Sequence, residues 1–405
     1  MRSLVLLRYA LVGILPLLCS VLSPSCAHAP AAPAYPPLPA APPLEPHLQA
    51  LVDDYDRYFS AAMAATQTPG AALVIVKDDR IIWMRGYGAK VAGGRDSVDA
   101  NTLFRIGSLS KGFAGVLTGI LAQDSLLRLD DPVQQYFPEF TLRDKQQAAR
   151  IRLWHLLSHT TGLPYHAYTN MIEAGYDIRR IITEYFPKAR LGGREGAFFS
   201  YQNVAFCGIE EVMLSVTGKK YPQLLHDRIF QPAGMRTASC DFGSITASSN
   251  KALPHFQTGS GWQPGEISPL YYNAVAAGGV NASIADMGEW LKLLLGHKPD
   301  IASALTLDRV FRPVTGTGKE RRIFPGWLDR EEASYALGWR VLRHDGDTIV
   351  YHGGYVNGYK GEIALCRRDG IGICALFNAN SELSKRCVPE FFERWKRQKG
   401  VAEKR

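Results

Sequence analysis

Ser108-Leu109-Ser110-Lys111 opens a stretch with helical periodicity. On a helix, a serine three residues ahead of a lysine shares its face, so hydroxyl and amine meet one turn apart. A serine hydroxyl attacks an acyl carbon only when a base takes its proton, and a desolvated lysine can be that base. Behind the pair, Phe113, Val116, Leu117, Ile120 and Leu121 recur at helical spacing, which predicts a buried helix. A lysine at the mouth of such a helix is costly to bury without a role. Ser248-Ser249-Asn250-Lys251 has the same Ser-x-x-Lys form but lies in a polar stretch with no apolar face, and reads as loop.

Acyl transfer also needs a proton path to the leaving group, an oxyanion hole and a substrate anchor. A tyrosine can share the proton work. Tyr-x-Asn occurs at Tyr168, Tyr201, Tyr271 and Tyr355, so the pattern alone selects none of them. Tyr201-Gln202-Asn203 differs in context: it follows a glycine-punctuated loop, Gly192 to Gly196, and precedes a helix-like run from Val204 to Val216. A phenol at such a junction can point into a cleft. His352-Gly353-Gly354 ends the β-rich run Thr348 to Tyr351, and glycines on an edge strand would let a substrate backbone approach. The backbone N–H of Tyr355 could then pair with that of Ser108 as an oxyanion hole. His344-Asp345-Gly346, in polar surroundings, reads as a hairpin turn instead.

The elements that must position these residues fall into a pattern. Leu48 to Ala65 is helix-like, and Gly70 to Val76 and Ile81 to Tyr87 are β-rich runs around a hairpin signal at Lys77-Asp78-Asp79-Arg80. Helix-like patterns follow near 175–186, 203–217, 221–230 and 283–296. Strands are expected at Tyr335 to Arg343, Thr348 to His352, Gly361 to Cys366 and Ile371 to Phe377, then an amphipathic helix from Arg386 to Lys399. Strands at both ends with helices between predict an α/β (α+β) fold. Its antiparallel sheet would be built from the N- and C-terminal segments, flanked by helices, with an inserted helical region. A site is expected in the cleft between the two regions.

The 405 residues are enough for a sizeable core, and the composition (46% hydrophobic, 21% charged) is that of a globular protein. The net charge of +8 is scattered, and the basic run Arg394 to Lys399 continues a helix pattern without any nucleic-acid motif. Residues 1–29 read as an export signal: Arg2 and Arg8, an apolar run from Tyr9 to Leu22, and Ala27-His28-Ala29, with cleavage between 29 and 31. Cys19 and Cys26 raise a lipid anchor, but neither follows a good lipobox; a membrane tether through the N-terminus stays open. Residues 30–46, with eight prolines, form a Pro/Ala-rich spacer, and the folded domain is expected over 47–400. Cys207, Cys240, Cys366, Cys374 and Cys387 match no metal knuckle. Cys366 and Cys374 flank a turn and could face each other across a hairpin, but buried free thiols are the preferred reading. His155 and His159 could share a helix face, but no glutamate follows His155 as a zinc peptidase motif requires.

Ser108-x-x-Lys111, Tyr201-x-Asn203 and His352-x-Gly354, in that order, resemble the three motifs of the serine β-lactamase and penicillin-binding-protein superfamily. The class C branch, with its DD-carboxypeptidases, D-aminopeptidases and esterases, is the most similar. Leu129 to Val133, Leu156 to Pro164, Ala277-Gly278-Gly279, Leu337-Gly338-Trp339 and Gly353 to Tyr359 also resemble that branch. The resemblance spans about residues 50 to 398 and implies a β-lactamase/transpeptidase-like fold. It also implies that Ser108 attacks the carbonyl while Lys111 and Tyr201 share the proton work. Tyr201 would aid deacylation by water. Asn203 would bind the substrate amide and position Lys111. His352, with Gly353, Gly354 and Tyr355, would line the cleft and meet the substrate carboxylate. No metal or organic cofactor is needed. The substrate would be a small molecule or peptide: a β-lactam or a D-Ala-D-Ala-type cell-wall peptide. The alternatives are an esterase or D-amino-acid amidase with the same machinery, or a non-catalytic penicillin-recognising module. His352 stands where class C β-lactamases usually carry lysine, and Gln202 where serine is more usual. A neutral histidine offers a hydrogen bond but no full charge.

Overall fold

The computed structural model describes residues 43–318, 333–344 and 346–402. The expected export signal and nearly all of the spacer lie outside the described residues. The chain is a mixed α/β protein whose main sheet has eight strands. Helix α1 (Pro46–Ala65) leads into the hairpin β1 (Gly70–Lys77) and β2 (Arg80–Gly88). Helix α2 (Ser110–Gln123) follows, then a helical region containing α3 (Asn203–Thr217) and α4 (Ile284–Leu295). The chain returns to the sheet as β3 (Thr315–Gly316), β4 (Ala333–Tyr335), β5 (Arg340–His344), β6 (Asp347–Val356), β7 (Tyr359–Cys366) and β8 (Ile371–Phe377). It closes with α5 (Glu382–Ala402). The order across the sheet is β2-β1-β8-β7-β6-β5-β4-β3, and all neighbours are antiparallel. The N- and C-terminal segments thus meet one strand in from the β2 edge, where β1 pairs with β8.

Strand β1 is apolar on both faces because both faces are covered. Its Ala71, Leu73 and Ile75 pack under α1 and α5, whereas Ala72, Val74 and Val76 face α2 and α4. Helix α1 buries Leu48, Leu51, Val52, Tyr55, Phe59 and Met63, a helical stripe laid on the sheet. Helix α4 starts with a capping box, Ser283 with Asp286, and ends on Gly296 at φ +99°.

Glycine sets the fit of α2. A Cβ at Gly112 would lie 2.3 Å from the Trp339 ring, and one at Gly115 would lie 2.0 Å from the Leu337 carbonyl oxygen. The turn Ala336 to Trp339 therefore rests directly on the helix. That turn corrects the expected single strand from Tyr335 to Arg343. Ala336 N–H bonds to the Trp339 carbonyl, Gly338 adopts φ +78°, and the segment splits into β4 and β5. Another difference lies at 175–186, where the helix covers only Ile178–Glu184. At 221–230 a helix over Tyr221–Leu225 widens into a looser turn at His226–Phe230. Cys366 and Cys374 are not paired: β7–β8 register sets Cys366 opposite Ile371 and Cys374 opposite Ile363, and both are buried free thiols. No described helix is long and apolar enough to cross a membrane.

Candidate active site

Ser108 sits in a tight turn, Gly107–Leu109, that feeds directly into α2. Gly107 has φ +55°, and a Cβ there would come within 2.8 Å of the Tyr355 backbone, so both conformation and space require glycine. Ser110 pins the turn: its hydroxyl donates to the Gly107 carbonyl (2.7 Å) and accepts from the Val280 N–H (3.1 Å). One turn along, Lys111 is fully buried. Its Nζ donates to Asn203 Oδ1 (2.8 Å) and to the Ala277 carbonyl (2.9 Å), and lies 3.4 Å from Ser108 Oγ. The Tyr201 hydroxyl donates to Ser108 Oγ at 3.1 Å.

Burial pushes the Lys111 amine down to about 7, with Cys207 opposing and the Arg340 guanidinium assisting. A neutral amine has two N–H bonds. Asn203 and Ala277 use both, which leaves the lone pair aimed at the Ser108 hydroxyl. The triangle can thus move a proton from Ser108 to Lys111 as Oγ attacks, with Tyr201 on the other side of the same oxygen. Lys251 provides the contrast. Its Nζ bonds to the Ser248 backbone carbonyl, not to a hydroxyl, in an open loop.

The third segment follows from a hairpin. Asn357 (φ +43°) and Gly358 (φ +88°) form a two-residue turn of the primed kind, which sets Val356 opposite Tyr359. Antiparallel alternation then directs the Val356, Gly354 and His352 backbone groups to β7 and those of Tyr355 and Gly353 away from it. Strand β5 pairs with β6 only from Asp347 to Tyr351, so that outer edge is open beside the Ser108 turn. The Tyr355 N–H thus faces the side where an acyl oxygen would sit, while its ring is 53% exposed. Gly354 serves a different contact from the expected one. A Cβ there would lie 2.2 Å from the Ile106 carbonyl, so the glycine admits the Ser108 turn onto the strand rather than a substrate backbone. A Cβ at Gly353 would meet the Tyr351 hydroxyl and Glu362 on the sheet's other face.

His352 does not line the cleft: none of it is exposed. Its Nδ1 donates to the Gly353 carbonyl (2.8 Å), so Nε2 carries the lone pair and accepts from the Tyr335 hydroxyl (3.0 Å) and Arg340 Nη1 (3.3 Å). The Tyr335 hydroxyl in turn accepts from Nε2 of His159 (3.2 Å), whose Nδ1 accepts from the Gln202 N–H (3.1 Å). Burial first, then nearby cations, hold both imidazoles far below the usual histidine range and therefore neutral. His159, buried with its ring 4.3 Å from that of Tyr201, thus braces the tyrosine instead of a metal. His155 Nδ1 is likewise taken, by the Arg152 N–H.

The structure therefore brings Ser108, Lys111, Tyr201 and Asn203 together, with the Tyr355 backbone beside them and His352 behind them. Ser110 and Arg340 were not singled out in the sequence, and His159 was weighed there only as a metal ligand. Arg340 carries no motif or period, and its guanidinium reaches the site only because the turn at 336–339 folds β5 back. It lies 5.6 Å from the Tyr201 ring centre.

A nucleophile-sized hydroxyl against a buried lysine and a tyrosine, on a helix packed over an antiparallel sheet, defines the acyl-transfer serine hydrolases as a class. The sequence profile of the Beta-lactamase family matches residues 55–392. The chain belongs to the Beta-lactamase family, and by family it is a serine hydrolase. It is 26% identical over 350 residues to an unguisins hydrolase of Aspergillus campestris, covering 82% of this chain and 63% of that one. It is also 26% identical over 327 residues to protein flp of Staphylococcus aureus, covering 79% and 61%. The chain thus spans somewhat over three-fifths of the length of these curated relatives. Among solved structures, an octameric penicillin-binding protein homologue from Pyrococcus abyssi superposes with a TM-score of 0.72 at 21% identity, covering 81% of this chain and 74% of the other. EstCE1, a hydrolase with promiscuous acyltransferase activity, superposes with a TM-score of 0.71 at 20% identity, covering 86% and 98%. At these identities the superpositions speak for the fold.

Proposed function

We propose that the protein forms an acyl-enzyme on Ser108 and hydrolyses esters or peptide amides. The observation that carries this is the Ser108–Lys111–Tyr201 triangle, with a buried amine held near neutrality. Lys111 takes the Ser108 proton as Oγ attacks; the Ser108 and Tyr355 N–H groups receive the oxyanion; Tyr201 returns a proton to the leaving group. Water then attacks the acyl-enzyme: the Tyr201 phenolate takes the water proton, and the Lys111 ammonium returns its proton to Ser108 Oγ as the acyl group leaves. Esters and neutral amides are favoured because the His352 imidazole is buried and neutral, so it offers no cation to a substrate carboxylate.

A second reading takes β-lactams and D-Ala-D-Ala-type peptides as substrates, on the class C pattern. It is supported by the Arg340 guanidinium, which lies against His352 and near Tyr201. Export belongs to the same proposal and rests on the N-terminal 1–29 pattern, with a membrane tether through that segment left open.

Intact-mass spectrometry separates the readings. The protein and its Ser108→Ala variant are mixed in turn with a p-nitrophenyl ester and with benzylpenicillin. Fast Ser108-dependent ester turnover with a negligible penicilloyl adduct supports the first reading. A persistent or rapidly cleared penicilloyl adduct supports the second. Turnover that survives Ser108→Ala discards both.

A further inference from the structure

Glu210 lies on α3, in the helical series Asn203, Cys207, Glu210 that shares one face of the helix. Asn203 holds Lys111 Nζ directly. Glu210 Oε1 accepts the Ala276 N–H at 2.8 Å, and Ala277, the next residue, supplies the carbonyl that takes the other Lys111 hydrogen bond. Cys207, fully buried between them, donates to the Glu210 carboxyl and sits in the electrostatic field of both Glu210 and Lys111. One helix face therefore grips the amine at two points, once by contact and once through the Val275–Gly278 turn.

We propose that Glu210 is a positioning residue for acylation: it fixes the Ala276–Ala277 backbone so that the Ala277 carbonyl holds the Lys111 amine with its lone pair on Ser108. Val275–Gly278 is a single turn: Ala277 and Gly278 N–H bond to the Ala274 carbonyl and Gly279 N–H to that of Val275, while the Ala276 N–H finds its acceptor on Glu210. Four residues cannot fix a helix without help from outside. An acceptor on its Ala276 N–H supplies that help. The arrangement rests on the acyl-enzyme reading above but goes beyond it, since Glu210 touches no reacting atom.

The groups that face Glu210 are Cys207 and Glu211 on α3, Asp177 ahead of the Ile178–Glu184 helix, Tyr221 and Cys240. Burial pushes the carboxyl up to about 7, against the Ala276 and Cys207 hydrogen bonds. Either protonation state keeps an oxygen for the Ala276 N–H. Glutamine would keep one too.

The test compares Glu210→Ala, Glu210→Gln and wild type on an ester substrate, with Ser108→Ala as the reference for acyl-enzyme chemistry. In Glu210→Ala, kcat is expected to fall roughly tenfold with KM within about twofold, as expected for a misaligned base. Loosening the Ala277 carbonyl removes an acceptor that favours the ammonium, so the acid limb of the kcat profile should move to lower pH. Glu210→Gln should restore both. A wild-type kcat and limb in Glu210→Ala overturns the proposal. So does a Glu210→Gln as impaired as Glu210→Ala, which would mean that charge and not the acceptor matters. If Glu210→Ala does not fold, Glu210→Leu replaces it and Glu210→Gln still decides between acceptor and charge. Turnover that persists in Ser108→Ala overturns the acyl-enzyme reading itself, and Glu210 with it.

Discussion

The two faces of the sheet are held by different means. Under α1 and α5 the contacts are mostly apolar and aromatic: Phe59 stacks on Phe377 at 5.9 Å, and Tyr55 meets Phe391 edge-on at 5.2 Å. On the α2 side lie a fully buried lysine, on α2 itself, and two fully buried histidines, of which only His352 is on the sheet, and glycines bring backbone against backbone or ring. An apolar face loses stability in proportion to the volume removed and keeps its geometry. The polar face has no such slack. The donors of Lys111, His159, Tyr335 and His352 each have a named acceptor, and losing one leaves its partner unsatisfied in a low-dielectric surrounding. Apolar packing thus holds both sides of the sheet, and the chemistry is confined to one of them.

The largest effect should come from Lys111→Met. It removes the base while leaving the helix intact, and ester turnover should fall by roughly 10³-fold, at the upper end for general-base loss. In the wild type, acylation needs the neutral amine, so its rate should climb with pH up to about 7 and level off above it. Stopped-flow acylation across pH checks this, and a limb near the ordinary lysine range would break the contrast by showing a solvated Lys111.

Gly115→Ala comes next. Its Cβ would lie 2.0 Å from a backbone oxygen that cannot swing aside. A cost of about 1–3 kcal/mol is expected, with turnover and melting temperature falling together because α2 carries Lys111, follows directly on the Ser108 turn and packs into the core. A variant with full activity and stability would mean that the turn at 336–339 yields easily.

Tyr335→Phe removes one hydroxyl from the His159–Tyr335–His352 chain. It should lower kcat several-fold and cost about 1–3 kcal/mol, measured by steady-state kinetics beside denaturant titration. An unchanged kcat would show that the chain is a brace for stability alone.

Phe59→Ala should affect turnover least. It should cost about 3–5 kcal/mol in denaturant unfolding, yet keep the wild-type kcat per folded molecule at 25 °C. A fall in kcat per folded molecule would erase the division between the faces.

The sheet-and-helix architecture was legible because it rests on local period. The apolar stripe of α1, the β1–β2 hairpin and the strand runs at the C-terminal end are each written within a dozen or so residues. The split between β4 and β5 was not legible. It follows from Gly338 and from the pressure of α2 against the turn, and those contacts join residues more than 200 positions apart. For the same reason the sequence left a Cys366–Cys374 pairing open, and register closed it in favour of the free thiols.

The sequence by itself determined the pairing of Ser108 with Lys111, since three residues of helix place one above the other wherever the helix lies. It also offered four Tyr-x-Asn segments and two His-x-Gly segments, among which local context favoured Tyr201 and His352 without placing either beside Ser108. Only the tertiary structure set Tyr201 against Ser108, turned His352 inward on Tyr335, and brought Arg340, His159 and the Ala277 carbonyl to the site. Those contacts depend on which strands become neighbours and on where glycine permits close approach. They also depend on how deeply an amine must be buried before it stops being charged. None of these is a property of a short segment; each is set by the packing of the whole chain.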